Sequence, residues 1–245
     1  MNEHSWIPAQ WPAPEKIMAG ITTRIGGKSE GVYSSFNLAT HVGDNPELVD
    51  ENRRQLKEFL QLPGEPHWLE QVHGCDVSTD QDVIRQADAC TTHVPGQVCV
   101  VMTADCLPVL ITDKHGQYVA AVHAGWRGLE RQAIQRCIDK MPVAPESLLV
   151  WLGPAIGPGA FEVGAEVREQ FLQQNPNFIA CFINSKNKGK WMMDMYGIAR
   201  LQLAAAQVEQ VYGGQFCTFT DATRFYSFRR DGQTGRMASL IWITK

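Results

Sequence analysis

The stretch Val98-Cys99-Val100-Val101-Met102-Thr103-Ala104-Asp105-Cys106-Leu107-Pro108-Val109-Leu110-Ile111-Thr112 decides the fold, because two apolar runs meet there across one short acidic turn. Neither run alternates polar with apolar residues, so each predicts a strand buried on both faces, over Val98 to Thr103 and Val109 to Thr112. The turn Asp113-Lys114-His115-Gly116 then leads to a third such run, Tyr118 to Val122, and 110 to 122 reads as a hairpin.

Outward from this centre, Ile17 to Thr22 predicts a short strand, followed by a loop through Asn37-Leu38 to Gly43-Asp44-Asn45. Asn45 is a good helix N-cap with Pro46 at the first helical position, and Leu48, Val49, Leu56, Phe59 and Leu60 form a helical stripe that ends near Pro63-Gly64. Helices are also predicted over Gly125 to Met141, Gly164 to Gln174 and Tyr196 to Ala206, with strands at Leu148 to Leu152 and Met237 to Ile243. Polar Asn184 to Lys190 reads as a solvated loop. Strands and helices mix without the regular alternation of a doubly wound fold, which predicts the α/β class in its mixed, α+β form. No repeat, low-complexity tract or linker-like shift divides the chain, so residues 1–245 are expected to form one domain.

The chain has 44% hydrophobic residues, 20% charged residues and a formal net charge of −4. No dense Lys/Arg block is present, which argues against a nucleic-acid surface and leaves small-molecule ligands held by a few aimed arginines. No stretch approaches a membrane span, and Met1 to Glu15 lacks the basic start and apolar core of a secretion signal. The seven cysteines are an odd number without a Cys-x-x-Cys pair, so a reducing cytoplasm is the expected location.

His73 in Gln71-Val72-His73-Gly74, Cys106 in Asp105-Cys106-Leu107-Pro108 and His123 in His123-Ala124-Gly125-Trp126-Arg127-Gly128 are the constellation that reads as chemistry. Each is taken to stand at the C-terminal edge of a strand, where side chains from separate strands converge. Two imidazoles and one thiolate, with no fourth protein ligand, suit a catalytic zinc whose vacant position holds water or substrate. The separations, 33 residues from His73 to Cys106 and 17 from Cys106 to His123, match no zinc ribbon. Copper is a rival, because two histidines and a cysteine with a nearby methionine, here Met102, also describe a blue-copper set. A multicopper oxidase needs further histidine pairs, and the chain has seven histidines with no His-x-His. A metal-free site remains open too, with Cys106 as a nucleophile activated by His73 or His123, although no third, orienting residue is evident.

Around these residues, Arg127 stands at a glycine-rich helix start suited to an anion. Arg53 lies on the first helix among alternating charges and reads as a solvated residue by pattern alone. Asn37 and His41 fall in a polar loop, where turn chemistry is the plain reading. Asp105 is a candidate to orient a ligand, move a proton or cap a turn. Glu162, after the constrained loop Gly153-Pro154-Ala155-Ile156-Gly157-Pro158, is the best unassigned carboxylate.

At these residues the chain closely resembles the YfiH-like family, also labelled the multicopper polyphenol oxidoreductase or laccase-domain family. The resemblance runs nearly end to end, through Thr23-Arg24-Ile25-Gly26-Gly27, Gly43-Asp44-Asn45, Glu51-Asn52-Arg53, Gln71-Val72-His73-Gly74, Thr103-Ala104-Asp105-Cys106-Leu107-Pro108, His123-Ala124-Gly125-Trp126-Arg127-Gly128, Trp151-Leu152-Gly153-Pro154-Ala155-Ile156-Gly157 and Arg229-Arg230-Asp231 to Ile241-Trp242. It implies a single-domain YfiH-like layered fold of mixed sheets flanked by helices, with a zinc at the positions of His73, Cys106 and His123. It also implies phosphorolysis of adenosine, inosine, guanosine or methylthioadenosine, and deamination of adenosine. Relatives are further linked to editing of UDP-muramyl peptidoglycan precursors by an amidase reaction. The His-x-Glu and Pro-Cys-x-x-Cys signature of nucleobase deaminases is absent, so deamination here would be convergent. Phosphorolysis needs an anion cradle, for which Arg127 and Arg53 are the candidates, joined by Asn37, His41 and Glu162 as substrate-binding positions. A non-enzymatic metal-binding module is the reading in the other class.

Overall fold

Successive residues of a strand face opposite ways, and in β6 (Val98–Thr103) both directions lead into apolar core. Val98, Val100 and Met102 pack with Phe36, Leu38 and Leu56, the last from helix α1 (Pro46–Phe59), whereas Cys99 and Val101 face a second sheet. The structure, a computed structural model, describes residues 3–244. Met1, Asn2 and Lys245, the ends of the span read as one domain and the start of the segment read for a secretion signal, lie outside the described residues.

The first sheet has the order β1 (Trp6–Pro8), β2 (Ile17–Thr22), β14 (Met237–Ile243), β6 and β3 (Pro66–His67), antiparallel except for the β6–β3 pair. The second has the order β13 (Gln210–Gly213), β9 (Leu148–Leu152), β7 (Leu107–Asp113), β8 (Val119–Ala124), β5 (Ala89–Thr92) and β4 (Val77–Thr79). Its two outer pairs are parallel and the inner ones antiparallel, with Leu110 opposite Ala121 in the expected hairpin.

Ile21, Val101 and Ile241 of the first sheet pack on Leu110, Ala121 and Trp151 of the second. On the far face of the second sheet, Val109, Val122 and Val150 meet Leu129, Ile134, Phe171 and Leu203 from α2 (Trp126–Glu130), α3 (Ala133–Ile138), α4 (Ala165–Gln174) and α5 (Met195–Ala205). The layers thus run helix, sheet, sheet, helices, a mixed α/β architecture. Both sheets are covered on both faces, which is why their central strands carry no polar alternation. A small antiparallel sheet of β10 (Glu162–Gly164), β12 (Lys190–Met193) and β11 (Phe182–Asn184), and the short α6 (Phe228–Asp231), border the second sheet's helical side and the chain's last turn.

Asn45 caps α1 as its type predicts, its side chain accepting the Glu47 N–H at 2.9 Å. The helix expected over 125–141 is instead two short ones, broken at Gln132, whose φ of 59° is left-handed. The carbonyl of Leu129, due to bond the N–H four residues on, is taken by the Gln132 N–H at 3.1 Å and by Gln202 Nε2 of α5 at 2.7 Å. Tertiary packing thus overrides local propensity. The loop expected over 184–190 is the turn between β11 and β12, and both its ends are strand.

Candidate metal centre and its cavity

Cys106 lies on the crossing where the chain leaves β6 in the first sheet and enters β7 in the second. His123 is the penultimate residue of β8 and shares the inter-sheet side of that strand with Val119 and Ala121. His73 does not follow a strand, contrary to the sequence expectation; it comes from the loop between β3 and β4, with a left-handed φ of 58°. The three donor atoms nevertheless lie within 4.8 Å of one another, so one ion can touch all three. The two imidazole rings meet edge to face with centroids 4.8 Å apart.

Asp88, which the sequence reading passed over, assembles this group. Its buried carboxylate accepts from His123 Nδ1 at 2.7 Å and from the backbone N–H groups of Val72, His73 and Gly74 at 3.2, 3.0 and 2.6 Å. These backbone bonds hold the His73 loop in its unusual conformation. The bond to Nδ1 leaves Nε2 of His123 to face the centre, the outer-shell arrangement of a metal-bound histidine. Gln71 fastens the same loop to β6, donating to Met102 O at 2.8 Å and accepting from Met102 N at 2.7 Å.

Burial opposes charge on the Cys106 thiol, but His123 and His73 outweigh it and bring the thiol down to about 6. Burial likewise opposes the His123 imidazolium, which the Cys106 thiolate and the Asp88 carboxylate raise to about 9. The thiol is approached closely by backbone: a Cβ at Gly125 would lie 2.8 Å from Sγ of Cys106. Only glycine fits there.

Asp105 has a φ of 93°, and both carboxylate oxygens are engaged. Thr218 Oγ1 donates to one and the backbone N–H of Arg229, in α6, to the other, each at 2.6 Å. The residue therefore ties the thiol's neighbour to the C-terminal segment.

A cavity of about 430 Å³ opens over the centre. Arg127, Arg229, Arg236 and His41 line it with the aromatic rings of Trp126, Phe161 and Phe228. The guanidiniums lie against those rings, Arg127 4.4 Å from the Trp126 ring centre, Arg229 5.0 Å from that of Phe161 and Arg236 5.8 Å from that of Phe228. Burial, with Arg236 and Arg53 nearby, favours the neutral form of His41.

Three sequence candidates stand elsewhere. Arg53 donates Nε to Leu38 O at 2.9 Å and stacks 3.9 Å over Trp68, so it is neither a solvated residue nor part of the cavity wall. Buried Asn37 organises its own loop, bonding Ala39 in both directions and accepting the Arg236 N–H at 3.0 Å. Glu162 accepts from Ser185 and Asn187 in the β11–β12 turn, bonds that hold its carboxyl below the usual range; it too does not line the cavity. Asp88, Arg236, Phe161 and Phe228 have no site role in the sequence-based expectations, and Gln71 and Arg229 stand there only within matching blocks. The usable signal for Asp88 was an acid just ahead of the apolar Ala89-Cys90; its partners lie 14 to 35 residues away.

Residues 18–244 match the family described as multi-copper polyphenol oxidoreductase laccase. Among curated relatives, a Pseudomonas aeruginosa protein named purine nucleoside phosphorylase is 48% identical over 98% of this chain and 99% of its own. The Escherichia coli purine nucleoside phosphorylase YfiH is 49% identical over 97% and 98%. Among solved structures, a Neisseria meningitidis protein superposes with a TM-score of 0.94 at 45% identity, covering 98% of this chain and all of that one. YlmD from Geobacillus stearothermophilus gives 0.91 at 29%, covering 100% and 98%.

Proposed function

The chain belongs to the multi-copper polyphenol oxidoreductase laccase family, and from that membership and the cavity we propose that it is a zinc-dependent purine nucleoside phosphorylase. It acts as one cytoplasmic catalytic domain on adenosine, inosine, guanosine and methylthioadenosine, and deaminates adenosine. One observation carries the reading: an open His73–Cys106–His123 donor set sits in a cavity that also presents arginines and aromatic rings. The names of the relatives support the reaction class.

Two imidazoles and a thiolate fit zinc with one position free. A blue-copper centre would add a methionine; Met102 borders the cavity but packs among Phe36, Leu38 and Ala238 of the outer core. When bound, zinc supplies Lewis acidity toward negative charge that develops on the substrate. The chain's own residues do the rest. Asp88 holds the proton on His123 Nδ1, which fixes the ring's orientation toward the centre. Phe228, 58% exposed on the cavity wall, offers a face for the purine to stack upon. Arg127, whose guanidinium has no hydrogen bond among the described residues, faces the cavity as an anion contact. Asp105, with both oxygens engaged, orients Cys106 and α6.

A second reading has its own observation. Asp88 behind His123 completes the series Cys106, His123, Asp88, the thiol, base and orienting acid of a metal-free hydrolase. Asp88 thus supplies the third, orienting residue that is not evident in the sequence. An amidase acting on a UDP-muramyl precursor could use either form of the centre.

Untagged protein assayed for zinc and copper, then incubated with adenosine with and without phosphate, separates these readings. Adenine released only with phosphate, at about one zinc per chain, is the expected result, with inosine reporting deamination. Metal-free protein with an alkylatable, essential Cys106 overturns the zinc reading. Zinc-loaded protein inert toward adenosine overturns the phosphorylase and leaves the amidase.

A further inference from the structure

The guanidinium of Arg236 is half-buried in the cavity wall, and among the described residues it pairs with no carboxylate. Even a partly buried cation without a counter-ion carries a desolvation cost unless something else supplies the charge. Its Nη1 donates to Thr234 O at 2.8 Å and Gly235 O at 3.0 Å. An arginine presents five N–H donors, and no bond from Nε or Nη2 of Arg236 is formed within the described chain. The acidic groups near it are Cys106, Asp105 and the Tyr33 phenol, whose Oη donates to Val42 O at 2.6 Å. Asp105 is already engaged by Thr218 and by the Arg229 N–H. Cys106 belongs to the donor set.

The backbone on either side is fixed. Arg236 N–H donates to Asn37 Oδ1 at 3.0 Å, and Arg236 O accepts from Leu38 N at 3.4 Å. The side chain therefore starts from a rigid base and lies against Phe228, an exposed ring of the cavity wall. A preset guanidinium with free N–H groups is suited to a tetrahedral oxyanion, which it meets through two parallel bonds.

Resting on the phosphorylase reading, we propose that Arg236 binds the phosphate co-substrate through Nε and Nη2, a role expected from sequence of Arg127 and Arg53. Held there, phosphate lies in the same cavity as the donor set and Phe228, and its attack on the ribose C1′ expels the purine with the bonding pair. The C1′–N bond breaks as the C1′–O bond forms, and the proton of the hydrogen phosphate passes to the purine nitrogen.

The test is calorimetric titration of inorganic phosphate into the purified holoprotein, with KM for phosphate and for adenosine measured separately. R236M should weaken phosphate binding and raise its KM by about 10- to 100-fold, the scale of a charge-assisted bond, while KM for adenosine moves by less than about threefold. R236K, which keeps the charge without the fork, should fall between, and thermal unfolding checks that each variant is folded. Phosphorolysis with an unchanged phosphate KM in R236M overturns the proposal and leaves the phosphorylase reading standing. Phosphate binding that depends on Arg236, in a protein that never phosphorolyses a nucleoside, overturns that reading and leaves the anion site. If R236M does not fold, an unaltered phosphate KM in R236K overturns the proposal.

Discussion

Asp88 and His123 are joined twice: the carboxylate meets Nδ1 at 2.7 Å, and the backbone N–H of His123 donates to the carbonyl of Asp88, also at 2.7 Å. One residue thereby sets where the imidazole stands and which nitrogen it presents. The same carboxylate holds three consecutive N–H groups of the His73 loop, so two of the three donors depend on it.

Asp88→Asn removes the charge and puts an N–H₂ among donors. Metal affinity, measured by competition with a chelator, should fall by about 10- to 100-fold. Retention of wild-type affinity would show that the His73 loop is held by other means.

In metal-free protein the thiol of Cys106 titrates near 6 because the two histidines favour the thiolate. The lowered value means the thiolate is present above it, so alkylation by iodoacetamide should rise through about pH 6, whereas an ordinary cysteine rises near 8.5. Added zinc should suppress the reaction. A rate that climbs only above pH 8 would contradict the account.

Gly125→Ala places a methyl 2.8 Å from Sγ of Cys106 and 3.5 Å from Cδ2 of His73. Overpacking of this kind costs about 1–3 kcal/mol, and here it displaces a donor. Metal content and activity should drop together, with a lowered unfolding midpoint. Normal metal content would show that the thiol can move aside.

Tyr196 Oη donates to the carbonyls of Gly153 or Phe216 at 3.0 Å and accepts the Ala155 N–H at 2.7 Å, pinning the loop that carries Ile156 to the cavity. Tyr196→Phe leaves these buried groups without their partner, at about 1–3 kcal/mol. At about 2–4 °C per kcal/mol for a chain of this size, calorimetry should show a midpoint lower by several degrees.

Phe228→Ala should raise KM for adenosine by about 5- to 100-fold, the range of base–aromatic stacking, and Phe228→Trp should restore it. A KM unchanged in the alanine variant would remove the ring from substrate binding.

The layering of the fold was legible where burial is two-sided. The strands at 17–22, 98–103, 148–152 and 237–243 coincide with their apolar runs, and Asn45-Pro46 marks the start of α1. Strands β3, β4, β10 and β12 were not legible, because two to four residues are too few to show a period. The break at Gln132 was hidden for another reason: its cause is Gln202, seventy-three residues from the carbonyl it occupies. His73, Cys106 and His123 could be grouped from residue type and local punctuation. Asp88, Arg236 and Phe228 could not, since an acid, an arginine and a phenylalanine acquire their roles only from neighbours brought by the fold. Arg53 shows the converse, a charge pattern typical of a wet helix face whose side chain is drawn down onto Trp68.

The crossing from β6 to β7 puts the thiol between the two sheets, and the His73 loop likewise runs from β3 of the first sheet to β4 of the second, while His123 belongs to the second sheet alone. The centre is therefore complete only when the two sheets are docked in register. Occupancy of the donor set then acts as a rivet between the layers: ligand binding to the native state alone raises its stability by mass action. Stripping the metal should speed amide exchange at Val101 to Leu107, the hinge between the layers, before the outer strands of either sheet respond.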